Sequence, residues 1–131
     1  MALNIKQHSL KKRVDSRGWL VENELDIIRR SMRHFLISLS KPGSIRGQHY
    51  HTKKREWFLV LAGQATLVFE DVRSKERRSI RLNQKKPTVV EIPPMVAHAI
   101  KNVGKSKMML LGIVNEHLDP KHRDTFPYKV I

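Results

Sequence analysis

Apolar residues in this chain recur at every second position. Turn-forming residues interrupt them at roughly the eight-to-twelve-residue spacing of an all-β sandwich or barrel. Arg33 to Ser40 alternates, with Phe35, Ile37 and Leu39 on one face. Thr66 to Asp71, Arg78 to Leu82 and Met108 to Val114 read as further strands. Trp57 to Ala62 is wholly apolar, as a strand buried on both faces would be. Gly63-Gln64 lies between two β-rich runs and predicts a tight hairpin. Arg73 to Glu76 and Val103 to Ser106 are further turns, and Pro93-Pro94 must end a strand. Helical pattern is confined to Glu22 to Met32, and the preceding Gly18 to Glu22 suits a strand equally well.

The chain has 131 residues, no repeat and no Pro/Gly/Ser-rich linker, so a single domain over 1–131 is expected. No apolar run approaches the roughly 20 residues of a membrane span, and the N-terminus shows no signal-peptide h-region. The absence of cysteine removes disulfides, thiolate chemistry and Cys-ligated zinc; a cytoplasmic location is the default expectation. Lys and Arg total 26 against 12 Asp and Glu, a net charge of +14. Such a field attracts polyanions and phosphorylated small molecules. No helix-turn-helix, zinc finger or aromatic ribonucleoprotein motif accompanies it, so nucleic acid is not the expected partner.

The chemistry concentrates between Gly43 and Gly63. His49 and His51, two apart on a strand, share a face. Glu56 can come alongside if the chain turns at Thr52 to Arg55, and His98 supplies a third imidazole after Pro93-Pro94. Three imidazoles and a carboxylate suit Zn, Mn, Fe, Ni or Co. Catalytic zinc more often takes three protein ligands and water, so Glu56 either ligates or serves as an acid/base.

The spacing Gly43-x5-His49-x-His51-x4-Glu56-x6-Gly63 resembles the first cupin motif at every fixed position. The second, Gly-x5-Pro-x-Gly-x2-His-x3-Asn, reads here Pro87-x5-Pro93-Pro94-Met95-x2-His98-x3-Asn102, with both glycines replaced. The resemblance implies a small β-barrel of the jelly-roll type, its core at roughly 17–118, with His49, His51, Glu56 and His98 pointing inward. Arg46 to Lys53, Val89 to Pro94 and Asn115 to Thr125 further resemble the C-terminal cupin domain of capsular-polysaccharide synthesis proteins. In that family the domain follows a reductase domain, binds zinc and epimerises a 4-keto sugar nucleotide. The Arg-Gly-x-His segment also resembles the dTDP-4-dehydrorhamnose 3,5-epimerases and the dTDP-sugar ketoisomerases, which use His acid/base chemistry without needing metal. No counterpart of the reductase half is read in this chain, so it is expected to carry no nicotinamide site of its own, and a separate reductase is a candidate partner.

These resemblances imply a sugar-nucleotide epimerase or ketoisomerase of polysaccharide biosynthesis. Such an enzyme removes a proton beside a carbonyl and stabilises the enolate with a metal or a cationic group. His49 stands at the base position of the metal-free relatives, and Lys53 is a candidate to support the enolate. Asp119 and Asp124 are tail candidates for the base. Arg46, ahead of Arg17 and Arg33, is the candidate for the diphosphate. Tyr50 should face away from the histidines. Of Trp57 and Phe58 one should face out, and an outward aromatic would fit the interface of the homodimer that small cupins commonly form. Two other classes remain open: a non-catalytic small-ligand-binding cupin and a metal-dependent dioxygenase.

Overall fold

The computed structural model describes residues 3–131. Its strands are β1 (Gln7–Ser9), β2 (Arg13–Asp15), β3 (Gly18–Leu20), β4 (His34–Ser40), β5 (Ile45–Tyr50) and β6 (Glu56–Ala62). They continue with β7 (Gln64–Asp71), β8 (Arg77–Asn83), β9 (Thr88–Ile92), β10 (Val96–Asn102), β11 (Met108–Val114) and β12 (Phe126–Pro127). One helix, α1 (Asp26–Ser31), lies between β3 and β4. Two five-stranded antiparallel sheets, in orders β1-β9-β6-β11-β4 and β12-β5-β10-β7-β8, pack as a sandwich. β2 and β3 form a separate ribbon. This is the all-β class that the period of two predicts and the jelly-roll type that the resemblance implies, although the barrel is not strictly closed: β4 and β8 each pair on one side only. Among the described residues no helix is long and apolar enough to cross a membrane.

The alternation sorts side chains between the layers. Ala65, Leu67 and Phe69 of β7 point inward, as do Val96 and Ile100 of β10. They meet Phe58 and Val60 of β6, Val90 and Ile92 of β9, and Met108 and Leu110 of β11. β6 is apolar on both faces because its outer face is also covered. Trp57 and Leu59 pack against Val89 and against Ile28 of α1, with Leu10 and Leu25 at the margin. The helix is only six residues long, too short to hold itself in water, so burial of Ile28 is what keeps it folded. Trp57 is therefore no exposed interface residue. Both Trp57 and Phe58 are buried, and the Trp57 indole N–H donates to Glu91 at 3.0 Å.

Two further expectations are corrected, and the direction of the β4 faces is added. Gly63 does not close a hairpin, because β6 and β7 belong to different sheets. At φ 88° it turns the chain from one layer into the other, where a Cβ would lie 2.9 Å from the Lys107 carbonyl oxygen. The apolar row of β4 faces outward, leaving Phe35, Ile37 and Leu39 60%, 58% and 50% exposed. The opposite row places Leu36 and Ser38 on a cavity instead. The core also extends beyond 17–118, since Leu3, Ile5 and Val130 are buried and belong to the packed clusters.

One glycine positions the site directly. Gly47 has φ 98°, and a Cβ there would lie 2.7 Å from the His98 carbonyl oxygen and 3.1 Å from the Ala99 Cα. Backbone cannot yield as a side chain tip can. Gly47→Ala is expected to lower the unfolding free energy by about 1–3 kcal/mol, read as a lowered urea midpoint. An unchanged midpoint would show that β5 and β10 separate freely at this point.

Candidate metal centre

Four elements bring the predicted cluster together. His49 lies near the end of β5, His51 just beyond it, Glu56 opens β6 and His98 lies in β10 directly across from His49. The candidate ligand atoms of all four lie within 4.8 Å of one another. Glu56 and His98 are only 4% and 1% exposed.

Hydrogen-bond partners fix the proton positions. His51 Nδ1 lies 2.7 Å from the Asp124 carbonyl oxygen, and His98 Nδ1 lies 3.1 Å from that of Val96. A carbonyl oxygen only accepts, so each Nδ1 carries a hydrogen and donates. Each ring then turns its Nε2 inward, and in the neutral ring that nitrogen is a bare lone pair, the form that ligates a metal. His51 Nε2 comes within 2.6 Å of Glu56 Oε1, and His98 Nε2 within 3.3 Å of the same oxygen. His98 Nε2 is buried and makes no hydrogen bond. Lone pairs converging on a carboxylate oxygen repel unless a proton or a cation lies between them. Donor type, the orphaned nitrogen and carbonyl-anchored Nδ1 atoms all suit a divalent metal ion.

Burial pushes the Glu56 carboxyl upward, but hydrogen bonds and positive charge from His51 and His98 outweigh it and hold the group well below the usual carboxylate range, so the ionised carboxylate needs a proton or a cation between it and the rings. Burial, with the nearby His98 and His51, lowers His49 to about 4, so His49 is neutral at neutral pH. Its ring makes no hydrogen bond to the described residues and lines a cavity of about 230 Å³. The other walls include Leu36, Ser38, Arg46, Glu56, Phe58 and His98.

Arg46 reaches this cavity because β5 is not a regular strand. Residues three apart should face opposite ways. Between them Gly47 and Gln48 take φ 98° and 59°, and the pairing with β10 slips between His98 and Ala99. This β-bulge absorbs one residue and returns Arg46 and His49 to the same side. The Arg46 Nε donates to Ser40 Oγ at 2.7 Å, leaving its terminal nitrogens without a partner among the described residues. Tyr50 faces the other way, against Phe126 and Tyr128, as expected. Met95 replaces the second motif's glycine and still adopts φ 65°. Its N–H donates to the His51 carbonyl at 2.7 Å, and its carbonyl accepts from Val72 at 3.1 Å, which offsets the strain of that conformation.

The remaining candidates lie elsewhere. Lys53 is exposed, does not line the cavity, and is tied through its backbone N–H to Asp124. Arg17 pairs with Asp15, while Arg33 donates to the carbonyls of Arg30 and Met32. Asp119 closes an exposed turn onto the Lys121 N–H and pairs with His122. Asp124 is not a free base. Burial raises its carboxyl, yet hydrogen bonds from Thr52, Lys53 and Lys54 overcome this and hold it well below its ordinary range. The sequence reading missed its role as a clamp on the Thr52 to Lys54 turn. The only signal was the Arg123-Asp124-Thr125 segment of the tail.

The sequence matches the polysaccharide biosynthesis C-terminal domain over residues 13–126. It is 35% identical over 96 residues to the UDP-2-acetamido-2,6-beta-L-arabino-hexul-4-ose reductase of Pseudomonas aeruginosa, covering 73% of this chain and 26% of that protein. The fold superposes on the capsular polysaccharide assembling protein CapF of Staphylococcus aureus with a TM-score of 0.73. That match has 33% identity and covers 92% of this chain and 34% of CapF. The chain thus spans about a quarter to a third of the length of these relatives. At the level of fold it also matches the sugar 3,4-ketoisomerase QdtA of Thermoanaerobacterium thermosaccharolyticum, crystallised with TDP. Here the TM-score is 0.79 at 22% identity, covering 96% of this chain and 89% of QdtA. With its cupin-type sandwich and its match over nearly the whole length, this chain belongs to the polysaccharide biosynthesis C-terminal domain family.

Proposed function

We propose that this chain binds a nucleoside-diphosphate 4-keto sugar and moves a proton beside its carbonyl, as an epimerase or ketoisomerase. The observation that carries this reading is His49: a neutral imidazole with both nitrogens free, on the same cavity wall as Arg46, Glu56 and His98. The names of the relatives supply the substrate class: a UDP-sugar reductase and a 3,4-ketoisomerase crystallised with TDP.

His51, Glu56 and His98 form the ligand set, with zinc the first candidate metal, and His49 is left as the base. A divalent cation held there would polarise a carbonyl oxygen as a Lewis acid. His49 takes the acidic C–H proton on a free ring nitrogen and returns it. Return to the neighbouring carbon on the same face, with the hydroxyl proton passing to the former carbonyl oxygen, gives an isomeric ketone; an epimer requires a second donor, such as water, to protonate the opposite face while His49 gives its proton up to solvent. Leu36, Phe58, Ile100 and Leu110 give the cavity apolar walls beside these polar groups. The cavity of about 230 Å³ takes the sugar, and the diphosphate is placed at its mouth, where the Arg46 guanidinium, anchored by Ser40, can take it through its terminal nitrogens.

The exposed row of Phe35, Ile37 and Leu39 on an edge strand supports a homodimer formed through β4. Ile37→Glu is expected to convert the dimer to monomer in light scattering. A wild-type monomer, or a variant of dimer mass, would remove this face from the proposal.

Solvent-deuterium incorporation into TDP- and UDP-linked 4-keto sugars tests the activity. His49→Asn should slow incorporation on the order of 100-fold or more. Arg46→Ala should weaken nucleotide-sugar binding while metal content stays unchanged. Undiminished exchange in His49→Asn would remove His49 from the reaction. Tight binding by the wild type with no exchange at all would identify a non-catalytic binder, and oxygen uptake by an iron-loaded protein a dioxygenase.

A further inference from the structure

We infer that Asp124 is a positioning residue for the metal ligands and that docking of the tail, residues 124–131, is coupled to metal loading. This rests on the metal reading above and adds residues that do not themselves ligate.

Asp124 grips both sides of His51. Its carboxylate accepts from the Thr52 N–H at 2.9 Å, the Thr52 hydroxyl at 2.6 Å, the Lys53 N–H at 2.8 Å and the Lys54 N–H at 3.0 Å. These groups form the turn that carries the chain from His51 to Glu56. The Asp124 backbone carbonyl meanwhile accepts from His51 Nδ1 and so turns Nε2 toward Glu56. One residue thus fixes both the tautomer of one ligand and the span to the next. On the far side of the turn, the Arg55 N–H donates to Asn115 Oδ1 at 2.8 Å.

The following residues lock Asp124 in place. Phe126 and Pro127 pair with Tyr50 and His49, and the Phe126 ring stacks on Tyr50. Tyr128 N–H donates to the Gln48 carbonyl at 2.8 Å. The Gln48 side chain, turned outward by the bulge, accepts from Val130 at 2.7 Å and Ile131 at 3.2 Å, and donates to the Ile131 carbonyl at 3.1 Å. Val130 is buried against Ala97 and Ala99, the neighbours of His98. The tail therefore contacts the strand of His49, the ring of His51 and the turn before Glu56. Whatever orders those ligands also orders the tail, and coupling of this kind is reciprocal.

Asp124→Asn tests this with little backbone disturbance, because Asn tolerates the left-handed φ of 52°. Its amide nitrogen cannot accept from the N–H groups of Lys53 and Lys54. Zn²⁺ affinity, measured by competition with a chromophoric chelator, is expected to fall about 10- to 100-fold. The absorption spectrum of the Co²⁺-loaded protein should change. Thr52→Val, which deletes one of the four bonds, should shift affinity in the same direction by less, and it serves if Asp124→Asn fails to fold. Asn83→Ala is the control. Asn83 caps an unrelated turn through the Lys85 and Lys86 N–H groups, beside Gln64 and a full strand length from Glu56. Its loss should leave Zn²⁺ affinity unchanged. Zn²⁺ should also slow amide exchange at residues 126–131 of the wild type. Wild-type affinity in Asp124→Asn and Thr52→Val, or an equal loss in Asn83→Ala, would overturn the inference. A wild type that takes up no Zn²⁺ or Co²⁺ would overturn it together with the metal reading, so the two failures are told apart by the first titration.

Discussion

One extra residue in β5 governs much of this protein's chemistry. A regular strand would carry Arg46 and His49 on opposite faces of the sheet. The bulge at Gly47 and Gln48 restores them to one side, over the cavity, and sends the Gln48 amide to the other, where it holds the C-terminal residues. Its tightness follows from contact with β10: the Gly47 backbone lies so close to the His98 carbonyl that no side chain fits. The same close approach sets His49 opposite His98, the pair on which the cluster is built.

Around that geometry the electrostatics leave few options. Glu56 and His98 are almost wholly buried, and an ion so placed is costly without partners. Two imidazoles spend their Nδ1 hydrogens on backbone carbonyls and aim Nε2 at one carboxylate oxygen. Three donor atoms converging on one point, one of them without a hydrogen bond, suit a coordination sphere. His49 differs from both. Its ring makes no hydrogen bond to the described residues, and burial with the nearby His98 and His51 keeps it neutral, so its nitrogens are open to the cavity.

Much of the fold was legible because burial on a pleated sheet writes a period of two into the sequence. The run Trp57 to Ala62 of β6, wholly apolar, announced a strand covered on both faces, and α1 with its buried Ile28 supplies the second cover. Local pattern failed where a strand's partner lay outside its own neighbourhood. Gly63-Gln64 has the composition of a hairpin, yet the strands it joins pair with distant partners in separate sheets. Phe35, Ile37 and Leu39 alternate like core residues but face outward, since the inner side of β4 borders a cavity. Alternation reveals that a strand has two faces without revealing which one meets the core.

The site divides along the same line. Residue type and spacing along the chain determined His49, His51, Glu56 and His98, because side chains that must meet at one point have to leave their strands at compatible positions. Only the tertiary structure decided which nitrogen of each imidazole is free and that Arg46 shares their cavity while Lys53, Arg17 and Arg33 do not. Only it turned Asp124 from a candidate base into a clamp. A carboxylate's chemistry is set by the groups that reach its oxygens, and those of Asp124 lie some seventy residues away along the chain.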